Sequence, residues 1–162
     1  SDSDLDSALK QENARELTSF NLIDDEAAMT TSTVTRVARS IAFREIVLEQ
    51  YEGVCAVCEE ALQTPSGLIE VDAAHIVPRA LMGADDARNG FALCKRHHWA
   101  FDKGLFGVGD NRKIHVPEPV SVIEQNANLK KFHGRPVREA RSVHLQVDPS
   151  AFKWHRDNLM LK

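Results

Sequence analysis

No run in this sequence approaches the ~20 consecutive apolar residues of a membrane-spanning helix, so no membrane partner is expected. The first residues lack a basic stretch followed by an apolar one, so no secretory signal is expected either. Cysteine is scarce and odd in number: three, two of them as Cys55-Ala-Val-Cys58. In a chain without a secretory signal, that pattern reads as metal binding rather than as a disulfide framework. It implies a reducing, cytoplasmic setting. Internal repeats and low-complexity tracts are also absent. What is there is a chain of 162 residues, 43% hydrophobic, which is ordinary for about one soluble globular domain.

The formal charge of −4 argues at first against a nucleic-acid partner. Its distribution weakens that argument. Residues 1–30 hold eight acidic and two basic groups, which leaves eighteen basic and sixteen acidic groups for the rest. Residues 130–156 alone hold seven basic groups (Lys130, Lys131, Arg135, Arg138, Arg141, Lys153, Arg156) against Glu139 and Asp148. Such a cluster fits either a phosphate footprint or a plain solvated surface.

The acidic stretch 1–32 reads as a linker or a loosely packed N-terminal segment, and 33–162 as the folded domain, with its core at 53–107. Thr30-Thr-Ser-Thr33 offers several N-cap choices. Val34, Val37, Ala38, Ile41 and Leu48 then give a helical period, predicting a helix over 33–51 that Gly53 ends. Residues 68–77 read as a strand stopped by Pro78. A polar loop over 79–90, a short strand at 91–93 and a helix over 95–103, closed by Gly104, follow. A hairpin is expected from Phe106 and Val108 across to Ile114 and Val116. Val143, Leu145 and Val147 alternate as in a strand, and Asp148-Pro149 caps a last helix.

Two residue pairs with matched spacing carry the first chemistry. Cys55 and Cys58 bite one edge of a tetrahedron, and Cys94 and His97 the other, as a structural Zn²⁺ requires. The long interval between the pairs suits a metal that ties both ends of a strand-loop-strand together. A redox-active Cys-x-x-Cys with Cys94 as a core residue is the competing reading.

A second constellation overlaps the first. His98 and Asp102, four apart on one helix, project from one face and could share a divalent ion. Imidazole is the side chain suited to exchanging protons near neutral pH, so His75, at the end of the preceding strand, is the natural acceptor for a proton of water attacking a phosphodiester. Asn89 can fix the loop near it. Arg79, Lys95, Arg96 and Lys103 are placed to hold phosphate oxygens. Taken singly, each residue also has a bland reading: a satisfied core histidine, or a surface hydrogen bond.

The order of these residues over 55–107 resembles the HNH endonuclease family. The run Asn89-Gly-Phe-Ala-Leu-Cys-Lys-Arg-His-His-Trp-Ala-Phe-Asp-Lys-Gly-Leu-Phe106 is similar to bacterial restriction-type members. The resemblance implies an α+β fold with a ββα-metal core, structural zinc, an N-terminal helix and a C-terminal hairpin/helix extension. It implies His75 as general base, Asn89 as the middle asparagine, and His98 with Asp102 as ligands of a catalytic Mg²⁺, Mn²⁺ or other divalent metal. Cys55, Cys58, Cys94 and His97 match the family's zinc positions. Ala74 departs from the pattern, since many members carry an acidic residue or histidine there. Either two protein ligands and waters suffice, or Asp72 helps from nearby.

The expected function is metal-dependent hydrolysis of DNA in a bacterial cytoplasm, leaving a 5′-phosphate. The DNA could be modified, since some members sit behind an upstream reader of modified bases, and a homodimer would serve double-strand cutting. The rivals are a non-catalytic zinc-stabilised module that binds DNA or protein, and an RNA-directed or toxin-type nuclease.

Overall fold

A computed structural model of the chain describes residues 2–14, 19–25 and 32–162. Helix α1, Asp2–Ala14, lies beside helix α2, Thr33–Gln50. Ser32 caps α2 by accepting a hydrogen bond from Thr35 N at 3.3 Å, which satisfies one of the open amides of the first turn. Of the other cap candidates, Thr30 and Thr31 lie outside the described residues, and Thr33 is the first residue of α2. The buried stripe of α2 is Ala38, Ala42, Phe43 and Val47. Val34 and Val37 are nearly half exposed (45% and 48%), so the stripe begins a turn later than their spacing suggests. Only the C-terminal part of α2 covers the core. The helix ends where Glu52 and Gly53 take left-handed φ values of 55° and 69°. Gly53 N then donates to Leu48 O at 2.8 Å, satisfying a terminal carbonyl.

Two antiparallel strands form the centre: β1, Val71–His75, and β2, Gly90–Cys94. Their register sets His75 opposite Gly90 and Val71 opposite Cys94. The strand expected over 68–77 is shorter at both ends. At its start, Ile69 bridges back to Gln63 across the intervening turn. At its end, Asn89 takes over the backbone: Ile76 N donates to Asn89 O and Val77 N to Asn89 Oδ1, both at 2.9 Å. The polar loop between the strands holds two short 3₁₀ turns, Arg79–Leu81 and Ala87–Asn89. Within the stretch read as a linker, Leu22–Asp24 docks on this loop. Asp24 N donates to Met82 O at 2.8 Å, and Ala84 N to Leu22 O at 3.0 Å.

β2 runs directly into helix α3, Lys95–Asp102. Gly104 follows it at φ 71°, where a Cβ would lie 2.0 Å from Leu159 O. Both the backbone conformation and the close approach of the C-terminal segment therefore demand glycine.

Strand alternation divides the two faces of the sheet between α2 and α3. Phe43 of α2 stacks on His75, ring centroids 3.9 Å apart, and lies where a Cβ on Gly90 would meet it at 2.5 Å. Phe91, one residue on, packs edge-on against Phe101 of α3 at 5.0 Å. His75 thus faces α2, while Asp72 and Ala74 face α3.

The C-terminal extension begins with the expected hairpin, β3, Gly107–Val108, paired with β4, Ile114–His115. Two short helices follow, α4 (Glu118–Ser121) and α5 (Ala127–Lys130). The strand expected over 143–147 is instead a 3₁₀ turn, Val143–Leu145. Leu145 and Val147 are buried but Val143 is 69% exposed. The alternation reflects local anchoring, with Leu145 N bonded to Ser142 O at 3.1 Å rather than to a partner strand. Helix α6, Pro149–Asn158, is capped by Asp148, whose carboxylate accepts from Ser150 N at 2.9 Å. Phe152 of α6 packs on Phe91 at 5.6 Å, closing the core. Arg112 donates to both oxygens of Glu139 (2.7 and 2.6 Å) and to Val147 O (2.8 Å), tying the hairpin loop to the chain that leads into α6. The architecture is α+β, with a ββα unit at its centre.

Candidate active site and metal centre

The ββα unit and the turn that follows α2 bring Cys55, Cys58, Cys94 and His97 together. Their four donor atoms lie within 4.8 Å of one another, and three of the four residues are buried. His97 Nδ1 lies 3.2 Å from Cys94 Sγ and 3.5 Å from Cys55 Sγ. The rings of Phe106 and Phe132 pack edge-on against His97 and fix its plane. The hydrogen bond between Cys55 and Cys94 pulls the two thiols apart: it pushes the Cys55 thiol up and holds the Cys94 thiol down. Three sulfurs sharing protons in a buried nest match the donor set of a structural metal, which would replace those protons. Of the two adjacent histidines, His97 belongs to this cluster and His98 to the next.

His98, about 100° further round α3 than His97, sits between two carboxylates. Its Nδ1 is 2.9 Å from Asp72 Oδ2 on β1, and its Nε2 is 3.4 Å from Asp102 Oδ2 one turn further along the helix. Asp72 and Asp102 therefore flank the ring rather than converge on one point. Lys95 pairs with the other oxygen of Asp72. Burial alone would raise the Asp72 carboxyl, but hydrogen bonds from Lys95 and His98 more than offset it and hold it below the usual range. Burial raises the Asp102 carboxyl, against the opposing pull of His98 and Lys103.

His75 stands at the end of β1 with partners of its own. Its Nε2 is 2.7 Å from Asp85 Oδ1, and its ring face is covered by Phe43. Nδ1 has no hydrogen-bond partner among the described residues. The second oxygen of Asp85 lies 3.4 Å from Arg79 Nε, and Arg79 Nη1 donates to Asp24 Oδ2 and Gly83 O, each at 2.6 Å. Asn89 is fully buried. Its side chain accepts from Val77 N and donates to Val77 O (3.1 Å) and Ala84 O (3.0 Å), so it shapes the loop that follows His75.

A family model described as HNH endonuclease matches residues 55–109, which contain both histidine clusters and the cysteines. The matched stretch is the one that holds β1, β2 and α3. A solved structure described as "Modification dependent TagI restriction endonuclease" is similar to the chain at 23% identity with a TM-score of 0.57. The match covers 72% of this chain and 37% of that one, so the chain spans little more than a third of that protein's length. No curated protein matches the chain. Among the described residues no helix is long and apolar enough to cross a membrane.

Around this matched region the structure redistributes the basic residues. Of the seven in residues 130–156, four have acidic partners within the chain: Arg138 with Glu52 and Glu59, Arg141 with Glu49, Lys153 with Asp157, and Arg156 with Asp110. That cluster is mostly an internal ion-pair set and not a free phosphate footprint. Arg79 and Lys95 are likewise engaged by carboxylates of the chain. Arg96 on α3 and Lys103 just past its end are exposed, with the 60% exposed ring of Trp99 between them. Asp85, Asp24 and Trp99 have no sequence signal of their own; only the folded loop and the helix surface bring them to the site.

Proposed function

We propose that the chain is a metal-dependent DNA endonuclease that hydrolyses phosphodiester bonds, of restriction type. The observation that carries this reading is the geometry of His75. A carboxylate only accepts hydrogen bonds, so the contact with Asp85 puts the ring proton on Nε2 and leaves the Nδ1 lone pair to take a proton from water. Nε2 of His98 and the Asp102 carboxylate would hold Mg²⁺ or Mn²⁺, with Asp72 accepting from His98 Nδ1 and so fixing the ring, as partners of metal-binding histidines commonly do. When bound, such an ion offsets charge on the pentacovalent phosphorus and the leaving oxygen. Cys55, Cys58, Cys94 and His97 would hold Zn²⁺ as a scaffold. Ala74, buried against α3, adds no ligand, which leaves water to complete the shell.

Arg96, Trp99 and Lys103 form an exposed cationic and aromatic stripe on the same short helix and just past its end. They would contact the phosphates and bases of DNA. The similarity to a modification-dependent enzyme supports modified DNA as substrate. The test is nicking of supercoiled plasmid, plain and modified, by the zinc-loaded chain with Mg²⁺ or Mn²⁺. Cleavage leaving 5′-phosphate ends supports the reading, and absence of cleavage with every metal and substrate overturns it.

A further inference from the structure

We propose that Asp85 is the positioning residue of the base, and that the Asp24–Arg79 pair holds it in place from outside the HNH core. This rests on the reading of His75 as the proton acceptor. Neutral imidazole exists as two tautomers, and only one presents a lone pair at Nδ1. Asp85 is only 8% exposed at its side chain and contacts Nε2 at 2.7 Å, so it selects that tautomer. The stack on Phe43, at an interplanar angle of 10°, opposes rotation of the ring about its Cβ–Cγ bond, and the Asp85 contact holds its Nε2 edge.

Asp85 needs its own support, because it sits in a loop rather than on β1. Its other oxygen faces Arg79, whose guanidinium also reaches the 8% exposed carboxylate of Asp24 and the carbonyl of Gly83. Asp24 is held by its own backbone on Met82. The line of contacts is Asp24, Arg79, Asp85, His75. Arg79 is thus a counter-ion within the base assembly and not a phosphate ligand. The segment 22–24, upstream of the matched family region, completes the site.

The imidazole tautomer of His75 can be read directly by ¹⁵N–¹H correlation on the zinc-loaded full chain, without DNA or catalytic metal. The protein should show the proton on Nε2. Asp85→Ala should abolish that preference and slow plasmid nicking roughly 10- to 100-fold, the range seen when the hydrogen-bonded partner of a metal-binding histidine is removed. Its zinc content should be unchanged. Asp24→Asn should give a smaller loss in the same direction. A parent protein with the proton on Nδ1 overturns the proposal even if Asp85→Ala fails to fold. So does an Asp85→Ala protein that keeps both tautomer and rate. A parent that shows the Nε2 tautomer but cuts nothing overturns the nuclease reading instead, and leaves the Asp85–His75 assignment standing.

Discussion

Asp72 on β1 and His98 on α3 meet at 2.9 Å through Nδ1, which turns Nε2 of the same ring toward Asp102. The strand residue thereby aims the helix residue. Asp72→Asn should raise the Mg²⁺ or Mn²⁺ concentration for half-maximal nicking by about 10-fold, because the ring loses its anionic partner. His98→Ala and Asp102→Ala should abolish activation by either metal. Metal titrations of the nicking rate check this, and an Asp72→Asn protein with an unchanged curve would remove Asp72 from the account.

The Cys55, Cys58, Cys94 and His97 cluster should hold one zinc per chain. Elemental analysis checks the stoichiometry. Chelation would leave protonated or unpaired sulfurs in a buried nest at a cost of several kcal/mol, lowering Tm by on the order of 10 °C for a domain of this size. Cys58→Ser should do the same without chelator. A chain that purifies free of zinc yet melts where the parent does would refute the clamp.

His155 supplies a pH dependence of stability. Its Nε2 donates to Phe101 O at 2.9 Å, its Nδ1 is buried with no partner, and burial pushes its pKa down to about 4. In the unfolded chain the imidazole protonates near 6.5. Between those values the unfolded state binds more protons, so stability is intact above about pH 6.5 and falls as pH drops toward 4, by up to about 3 kcal/mol. His155→Gln keeps a donor for Phe101 O but cannot titrate. Urea unfolding of zinc-loaded protein between pH 4.5 and 7 should show a flatter profile for His155→Gln than for the parent.

DNA affinity should depend on α3 rather than on the basic C-terminal stretch. Arg96→Gln and Lys103→Gln should each lower the slope of log affinity against log salt by about 1. Arg138→Gln and Arg141→Gln should leave that slope unchanged, because Glu52, Glu59 and Glu49 already neutralise them. Fluorescence anisotropy in stepped salt distinguishes the two sets.

The parts legible in the sequence are those governed by short spacing. Both ligand pairs, the His98/Asp102 step and the Asp148 cap depend on residues two to four apart, where strand and helix geometry leave little freedom. The contacts that define the base are of another kind. Asp85 meets His75 only because Asn89 folds the intervening loop back, and Asp24 reaches Arg79 across 55 positions. Charge clustering misled at Arg138 and Arg141 for the same reason, since their acidic partners lie 79 to 92 residues upstream. Alternation misled at Val143–Val147 because among the described residues no strand lies alongside to pair with it.

The central claim is that His75 accepts the proton from the attacking water. Single-turnover nicking of supercoiled plasmid by parent and His75→Ala, both zinc-loaded and folded at saturating Mg²⁺ or Mn²⁺, tests it most directly. His75→Ala should be slower by about 100-fold or more, on the order expected for removing a general base. A His75→Ala protein that cuts as fast as the parent would contradict it.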